Sequence, residues 1–270
     1  MKVYCILGDE RALRSKSPAI FSAVIKKLGI KGAYVPFNVA PGNIGKAMES
    51  MRTLNIAGAN VAVPYKEAVV PHLDILSEGA NIIGAINTIV RNDHILKGYN
   101  TNAIGLMDAL TDAGFDVENK SALVFGTGGA ARAVVFVLNW LRTHSIMVAG
   151  RNENKVLQMV SRFGGEAKTF GALTEQPVEV DLIVNATSIS SPDESIEMAK
   201  LLERIEVRNC ELILDLNYGR RQNIWQDMAR RNNIPFMDGL TTLAYQARRT
   251  FALWTGLQVP PEEFLKVIQT

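Results

Sequence analysis

The run Val124-Phe125-Gly126-Thr127-Gly128-Gly129-Ala130-Ala131-Arg132-Ala133 constrains this chain most. A β-type stretch over residues 121–125 enters the glycines directly, and a helical pattern leaves them. That is the strand–turn–helix start of a dinucleotide-binding βαβ unit. Gly126 permits the tight turn, and Gly128 removes a Cβ that would block a pyrophosphate. The small Ala131 lets helix and strand pack closely, and the bare helix N-terminus offers unpaired N–H groups to phosphates. A tight βα turn with no ligand is the competing reading. The next strand, residues 145–150, weighs against it, running into Arg151-Asn152-Glu153-Asn154-Lys155. No acid stands at its tip to take a ribose 2′-hydroxyl. Arg151, with Lys155 about one turn on, suits a 2′-phosphate, so the expected cofactor is NADP rather than NAD. A solvated basic helix start is the alternative, and it matches the helix dipole poorly.

The glycine turn begins after some 120 residues, so a separate unit precedes it. The chain's 270 residues, 47% of them hydrophobic, suffice for two modest domains. A net charge of +2 leaves no footprint for nucleic acid or an anionic membrane. No apolar run reaches the roughly 20 residues that span a bilayer. The first eight residues read as a strand and lack the features of a signal peptide. Cys5 and Cys210 lie in apolar runs and read as free thiols of a reducing cytoplasm. His72, His94 and His144 show no ligand spacing, so neither a metal site nor a Ser-His-Asp triad is expected. Proton transfer then falls to lysine, carboxylate or tyrosine.

Strand and helix patterns alternate before the glycine turn. Strands are expected over residues 3–7, 32–37, 58–63, 85–90 and 94–98, and helices over 18–28, 43–54 and 106–113. Residues 73–83 read as mostly helical. After the turn, strands follow at 167–169, 182–185, 212–216 and 235–237, with helices at 241–254 and 261–268. The expected fold is therefore α/β and two-domain. An N-terminal α/β substrate domain (1–101, completed by 239–270) pairs with a Rossmann-type, doubly wound NADP-binding domain (102–238), with a cleft between them.

Four polar clusters stand in apolar surroundings. Ser15-Lys16-Ser17-Pro18 offers two hydroxyls before a helix, suited to a small carboxylate; plain capping by Ser17 is the alternative. Asn60 interrupts an apolar strand in Gly58-Ala59-Asn60-Val61-Ala62-Val63-Pro64-Tyr65-Lys66-Glu67. Lys66 follows that strand, where α/β sheets place functional groups, and can act as acid or base. A surface ion pair with Glu67 is its ordinary alternative. Ala85-Ile86-Asn87-Thr88 and Tyr99-Asn100-Thr101-Asn102 supply amides that a polyol would satisfy, or that simply cap and turn.

Taken in order, these segments resemble the shikimate dehydrogenase family, with its quinate/shikimate relatives. Nearly the whole chain takes part. The serines 15 and 17, Gly58 to Lys66, Ala85 to Thr88, Asn100 to Gly105, Gly126 to Ala133 and Gly150-Arg151-Asn152 resemble the family's motifs. So do Asn185-Ala186-Thr187-Ser188, Asp215-Leu216-Asn217-Tyr218, and Gln246-Ala247 with Phe251 and Trp254-Thr255-Gly256. The resemblance implies a cytoplasmic, NADP-linked interconversion of 3-dehydroshikimate and shikimate, by a monomer or homodimer that binds neither nucleic acid nor membrane. It implies Lys66 as the proton-transfer residue, Ser15, Ser17 and Tyr218 near the carboxylate, and Asn60, Asn87 and Gln246 on ring hydroxyls. Gly126, Thr127, Gly128, Gly129 and Ala130 would hold the cofactor, with Arg151, Asn152, Lys155, Asn185, Thr187, Ser188 and Gly239.

The chain also departs from the family's pattern. Asn102 stands where the family has its catalytic Asp; it keeps the shape but neither accepts a proton nor supports a charged Lys66. Binding with much reduced turnover is expected. Ala62 replaces a Thr, Arg14 a His, and Phe21-Ser22 a His-Asn pair. Ser190, Arg220, Asn223 and Thr242 replace a Gly, a Pro, a Thr and a Met. A paralogue acting on quinate or an aminated ring, and a catalytically silent ligand-binding relative, are the alternatives.

Overall fold

Two sheets organise the chain, each within its own compact unit, in the computed structural model, which describes residues 1–269. One unit is Met1–Gly105 with Leu243–Thr270, and the other is Leu106–Thr242.

The first unit opens with β1 (Lys2–Gly8), α1 (Ser17–Lys27), β2 (Gly32–Asn38), α2 (Ile44–Thr53) and β3 (Gly58–Val61). It continues through β4 (Ile75–Leu76), α3 (Glu78–Ile83), β5 (Thr88–Asn92) and β6 (Ile95–Tyr99) into α4 (Thr101–Asp112). The strand order is β2-β1-β3-β5-β6-β4. β1 pairs parallel with β2 and β3, whereas β5 runs antiparallel to β3 and β6. Central β1 and β3 are buried along most of their length, with Asn60 as the polar exception in β3. Cys5, Leu7, Ala59 and Val61 pack with Met48 and Met51 of α2.

The second unit carries β7 (Ser121–Phe125), α5 (Gly129–Trp140), β8 (Ser145–Ala149), α6 (Glu153–Phe163), β9 (Glu166–Lys168) and α7 (Ala172–Glu175). Next come β10 (Val178–Glu179), β11 (Leu182–Asn185), α8 (Ile196–Arg204) and β12 (Val207–Arg208). β13 (Leu212–Asp215), α9 (Ile224–Arg231) and β14 (Phe236–Met237) close it. The main sheet is wholly parallel in the order β14-β13-β11-β7-β8-β9, and β10 pairs with β12 apart from it. This is the expected doubly wound, Rossmann-type order, reversing direction between β7 and β11, where such sheets bind ligands. At that point Gly126 has φ +120°, and a Cβ on it would lie 2.9 Å from the Ala186 carbonyl oxygen, so only glycine fits.

The last helices are α10 (Gly239–Thr255) and α11 (Pro261–Gln269). Within the first unit, Trp254 stacks on Tyr4 at 4.8 Å and donates from Nε1 to the Ile89 carbonyl (2.9 Å). A Cβ on Gly58 would lie 2.2 Å from that indole nitrogen, so the strand leaves room for the ring. The Lys16 amine reaches the Ile268 carbonyl of α11 (2.7 Å).

Residues 73–83 differ from expectation. Ile75 and Leu76 pair with Lys97 and Gly98 of β6, and the Asp74 carboxylate accepts from Leu96 N–H (2.6 Å) and Arg52 (2.7 Å). Those tertiary bonds override the helical spacing, and α3 starts only after Ser77, whose hydroxyl caps Ala80. β5 begins at Thr88 rather than 85, because Asn87 turns to accept the Thr101 N–H (2.7 Å). The expectations named neither α8 nor α9, although Ser195 and Asn223 cap them with side-chain oxygens.

Candidate active site

In the first unit, one polar network joins β3, the β5 entrance, α4 and α10. Asn87 is its hub. Its Oδ1 accepts the backbone N–H of Thr101, and its Nδ2 faces Asn102 Oδ1 (2.7 Å), Thr101 Oγ1 (2.9 Å) and Gln246 Oε1 (3.1 Å). Beneath it the hydroxyls of Thr88, Thr101 and Thr250 form a triangle with sides of 2.8–3.0 Å, all fully buried. Asn100 caps the start of α4, its Oδ1 accepting from Ala103 N–H and its Nδ2 donating to the Ala85 carbonyl. The sequence reading missed Thr250. It lies one turn after Gln246 on an otherwise apolar helix face, and that spacing is the signal that points to it.

Asn60, expected to hold a ligand, lies inside this network. Its Oδ1 accepts the Tyr34 hydroxyl (2.8 Å), and its Nδ2 reaches the Asn87 carbonyl (3.1 Å) and Thr88 Oγ1 (3.4 Å). A buried amide so engaged is part of the network that fixes Asn87 and Thr88. Asn102 and Gln246, by contrast, are half-buried.

Lys66 follows β3 in a turn, and its carbonyl accepts from Ile86 N–H (2.7 Å), the residue before Asn87. Burial pushes its ammonium down from the ordinary 10.5 to about 8. Its amine has no hydrogen bond or ion pair among the described residues, so the expected alternative, a pair with Glu67, is absent. Such an amine gains or loses a proton near neutral pH, as acid–base work requires. At the α1 entrance the cap is not the one anticipated. Ser15 Oγ accepts the Ser17 N–H (3.1 Å), and the Ser17 hydroxyl has no partner among the described residues. Phe21, whose replacement of a His favoured a different substrate ring, is core: it is buried and stacks on Tyr34 at 4.8 Å.

In the second unit, the glycine turn has the geometry of an anion cradle. No side chain caps α5, and a Cβ on Gly128 would meet no atom within 4 Å. Arg151 and Lys155 are exposed, with no ion-pair partner among the described residues. Asn152 caps α6, its Oδ1 accepting the Lys155 N–H (3.0 Å). Open space for a pyrophosphate and two unpaired cations at the end of β8 fit a nicotinamide dinucleotide phosphate. Thr127 and Ser188 border this end of the sheet on the β7 and β11 loops. Gly239 starts α10, and a Cβ there would lie 2.3 Å from the Leu216 carbonyl oxygen.

Asn185 belongs to a second network. It is fully buried, and its Nδ2 donates to Asp215 Oδ1 (2.8 Å) and the Ile189 carbonyl (2.9 Å). Its Oδ1 accepts from Thr187 N–H and Oγ1, so Asn185 shapes the loop. The Asp215 carboxylate also accepts from Asn217 and from Asn223 Nδ2 (2.8 Å), while the Ser190 hydroxyl meets Asn185 and Asn217. Two departures from the family pattern, Ser190 and Asn223, thus serve one scaffold. A third, Arg220, donates to the Tyr218 carbonyl (2.7 Å) and to Glu194 (2.8 Å), fixing the loop that carries Tyr218.

Two family models divide the chain. The shikimate dehydrogenase substrate binding domain matches residues 7–89, and shikimate / quinate 5-dehydrogenase matches 109–238. The shikimate dehydrogenase (NADP(+)) of Desulforamulus reducens is 36% identical over 263 residues, covering 94% of this chain and 90% of that protein. That of Caldanaerobacter subterraneus is 35% identical over 260 residues, covering 94% and 92%. Shikimate 5-dehydrogenase from Thermus thermophilus, solved with NADP(H) and shikimate, superposes with a TM-score of 0.87 at 30% identity, covering 100% of this chain and 99% of that one. The network, the titratable lysine, the glycine cradle and these likenesses agree throughout, and the chain belongs to the shikimate dehydrogenase family.

Proposed function

We propose that this chain is an NADP-dependent shikimate dehydrogenase, reversibly reducing 3-dehydroshikimate to shikimate, with turnover lowered by Asn102. The observation that carries the reading is Lys66: a buried amine without a counter-ion, titrating near pH 8, whose turn is bonded to the Asn87 network. Bound NADP(H) supplies the hydride chemistry, and this chain manages the accompanying proton. Lys66 holds that proton for the substrate oxygen during reduction and removes it during oxidation. Ser15 and the unpartnered Ser17 hydroxyl receive the carboxylate. Gln246 and Asn102 orient the ring through amides that Asn87 fixes. Arg151 and Lys155 hold the 2′-phosphate, and residues 126–130 the pyrophosphate. Where a carboxylate at position 102 would stabilise a charged Lys66, the neutral amide does not, and proton transfer loses part of its usual hundred- to ten-thousand-fold contribution, roughly estimated. The two free thiols fit a reducing cytoplasm, where the protein acts as a monomer or homodimer.

NADPH formation from shikimate and NADP tests this reading, with the Asn102→Asp variant alongside. Slow turnover here and fast turnover in the variant is the expected result. No turnover in either, with quinate oxidised instead, would assign the pocket to a paralogous ring, for which Ala62 and Ser22 are the remaining sequence arguments.

A further inference from the structure

The polarity of the amide cluster is fixed by the backbone. The Thr101 N–H can only donate, so the oxygen it meets at 2.7 Å is Asn87 Oδ1. Asn87 must then present its NH2 on the other side. Whatever lies within hydrogen-bond distance of that NH2 must accept. Asn102 and Gln246 therefore both turn their oxygens toward Asn87, at 2.7 and 3.1 Å. Thr101 Oγ1 at 2.9 Å is the third oxygen facing that NH2, and flipping either amide would set NH2 against NH2. What Asn102 and Gln246 have left is Nδ2 and Nε2, and neither has a partner among the described residues. Both residues are half-buried rather than core.

The geometry points to a site keyed by donors: Asn87 sets Asn102 and Gln246 so that both offer N–H to the ligand, and position 102 selects the keto form of the substrate over the hydroxyl form. A carbonyl oxygen only accepts, and it suits an NH2 directly. A hydroxyl accepts equally well, but its own proton then needs an acceptor that Asn102 no longer provides. A carboxylate at the same position would take that proton and repel the carbonyl oxygen. Buried polar groups left unpaired weaken binding far more than a missing attraction does. Asn102 is thus a specificity-determining residue for the oxidation state of the ligand as well as a lost charge. This inference rests on the proposed shikimate-class substrate.

The test is equilibrium binding, by calorimetry without nicotinamide nucleotide at pH 7, of 3-dehydroshikimate and of shikimate. Both are measured on the full chain and on its Asn102→Asp and Asn102→Ala variants. The expected result is a preference for the keto form about tenfold larger in this chain than in Asn102→Asp, with Asn102→Ala also losing preference. If Asn102→Asp does not fold, the alanine variant alone decides. A preference equal in chain and variant, or larger in the variant, overturns the inference while the proposed function stands. If neither ligand binds any of the three proteins, the substrate assignment itself falls, and the inference with it.

Discussion

The two units use buried asparagines in opposite ways. In the second, Asn185, Asn217 and Asn223 all turn donors onto one buried carboxylate, Asp215. In the first, Asn87 turns its donors onto other amides, which carry the polarity outward to Asn102 and Gln246. An asparagine that ends on a carboxylate closes a network and makes scaffold. One that ends on another amide leaves an N–H over, and that surplus is available to a ligand. Both kinds sit in motifs that look equally polar in the sequence.

The contrast predicts where substitutions cost rate and where they cost stability. The largest effect is expected at the open network. Lys66→Met should lower the turnover rate about a hundred- to ten-thousand-fold while the protein stays folded, as steady-state kinetics with circular dichroism would show. A matching loss of folding would place Lys66 in the scaffold instead. At the closed network, Asp215→Ala leaves three amides short of an acceptor, those of Asn185 and Asn223 buried and that of Asn217 half-buried. At about 1–3 kcal/mol each, this should cost several kcal/mol in denaturant unfolding. An unchanged midpoint would break the comparison.

A third, smaller effect concerns the cofactor end. Arg151→Ala with Lys155→Ala should raise the KM for NADP roughly ten- to a hundredfold, each lost exposed charge contact contributing about 1 kcal/mol, and leave NAD unaffected. Equal losses for both nucleotides would mean that the pair does not read the 2′-phosphate.

The smallest effect is a pH signature. Lys66 titrates near 8 when folded and near its ordinary 10.5 when unfolded. Between those values the unfolded chain binds more protons, so stability should rise with pH over that window, the burial penalty being complete below about 8. Thermal melts from pH 7 to 10.5 should show this rise, and Lys66→Met should remove it. The oxidation rate should climb through the same midpoint near 8, because only the neutral amine takes a proton.

Much of the fold was legible because period and punctuation agreed. Residues 182–185 were read as a strand and are β11, and the glycine turn sits at the switch point of the sheet. The stretch 73–83 was not legible, since β4 exists only through pairing with β6, some 22 residues on. The site was readable in residue type and less so in role. Asn60 and Asn185 carry the same side chain as Asn87, and only the fold shows which partners each one takes. Thr250 makes no motif with its sequence neighbours, and its function rests on Thr88, 162 residues away.

The pocket that Gly58 leaves for Trp254 bears on how the chain is made. Synthesis runs from the N-terminus, so Tyr4, Phe21 and Tyr34 emerge from the ribosome well before the indole that covers them. The continuous segment Leu106–Thr242 can complete its parallel sheet in the meantime. The nascent first unit must wait, its aromatic surface open, until the last turns of α10 arrive. A nascent chain whose emerged part stops short of residue 254 but includes residue 242 should display a finished second unit and an unfinished first, a vectorial folding order written into the placement of a single tryptophan.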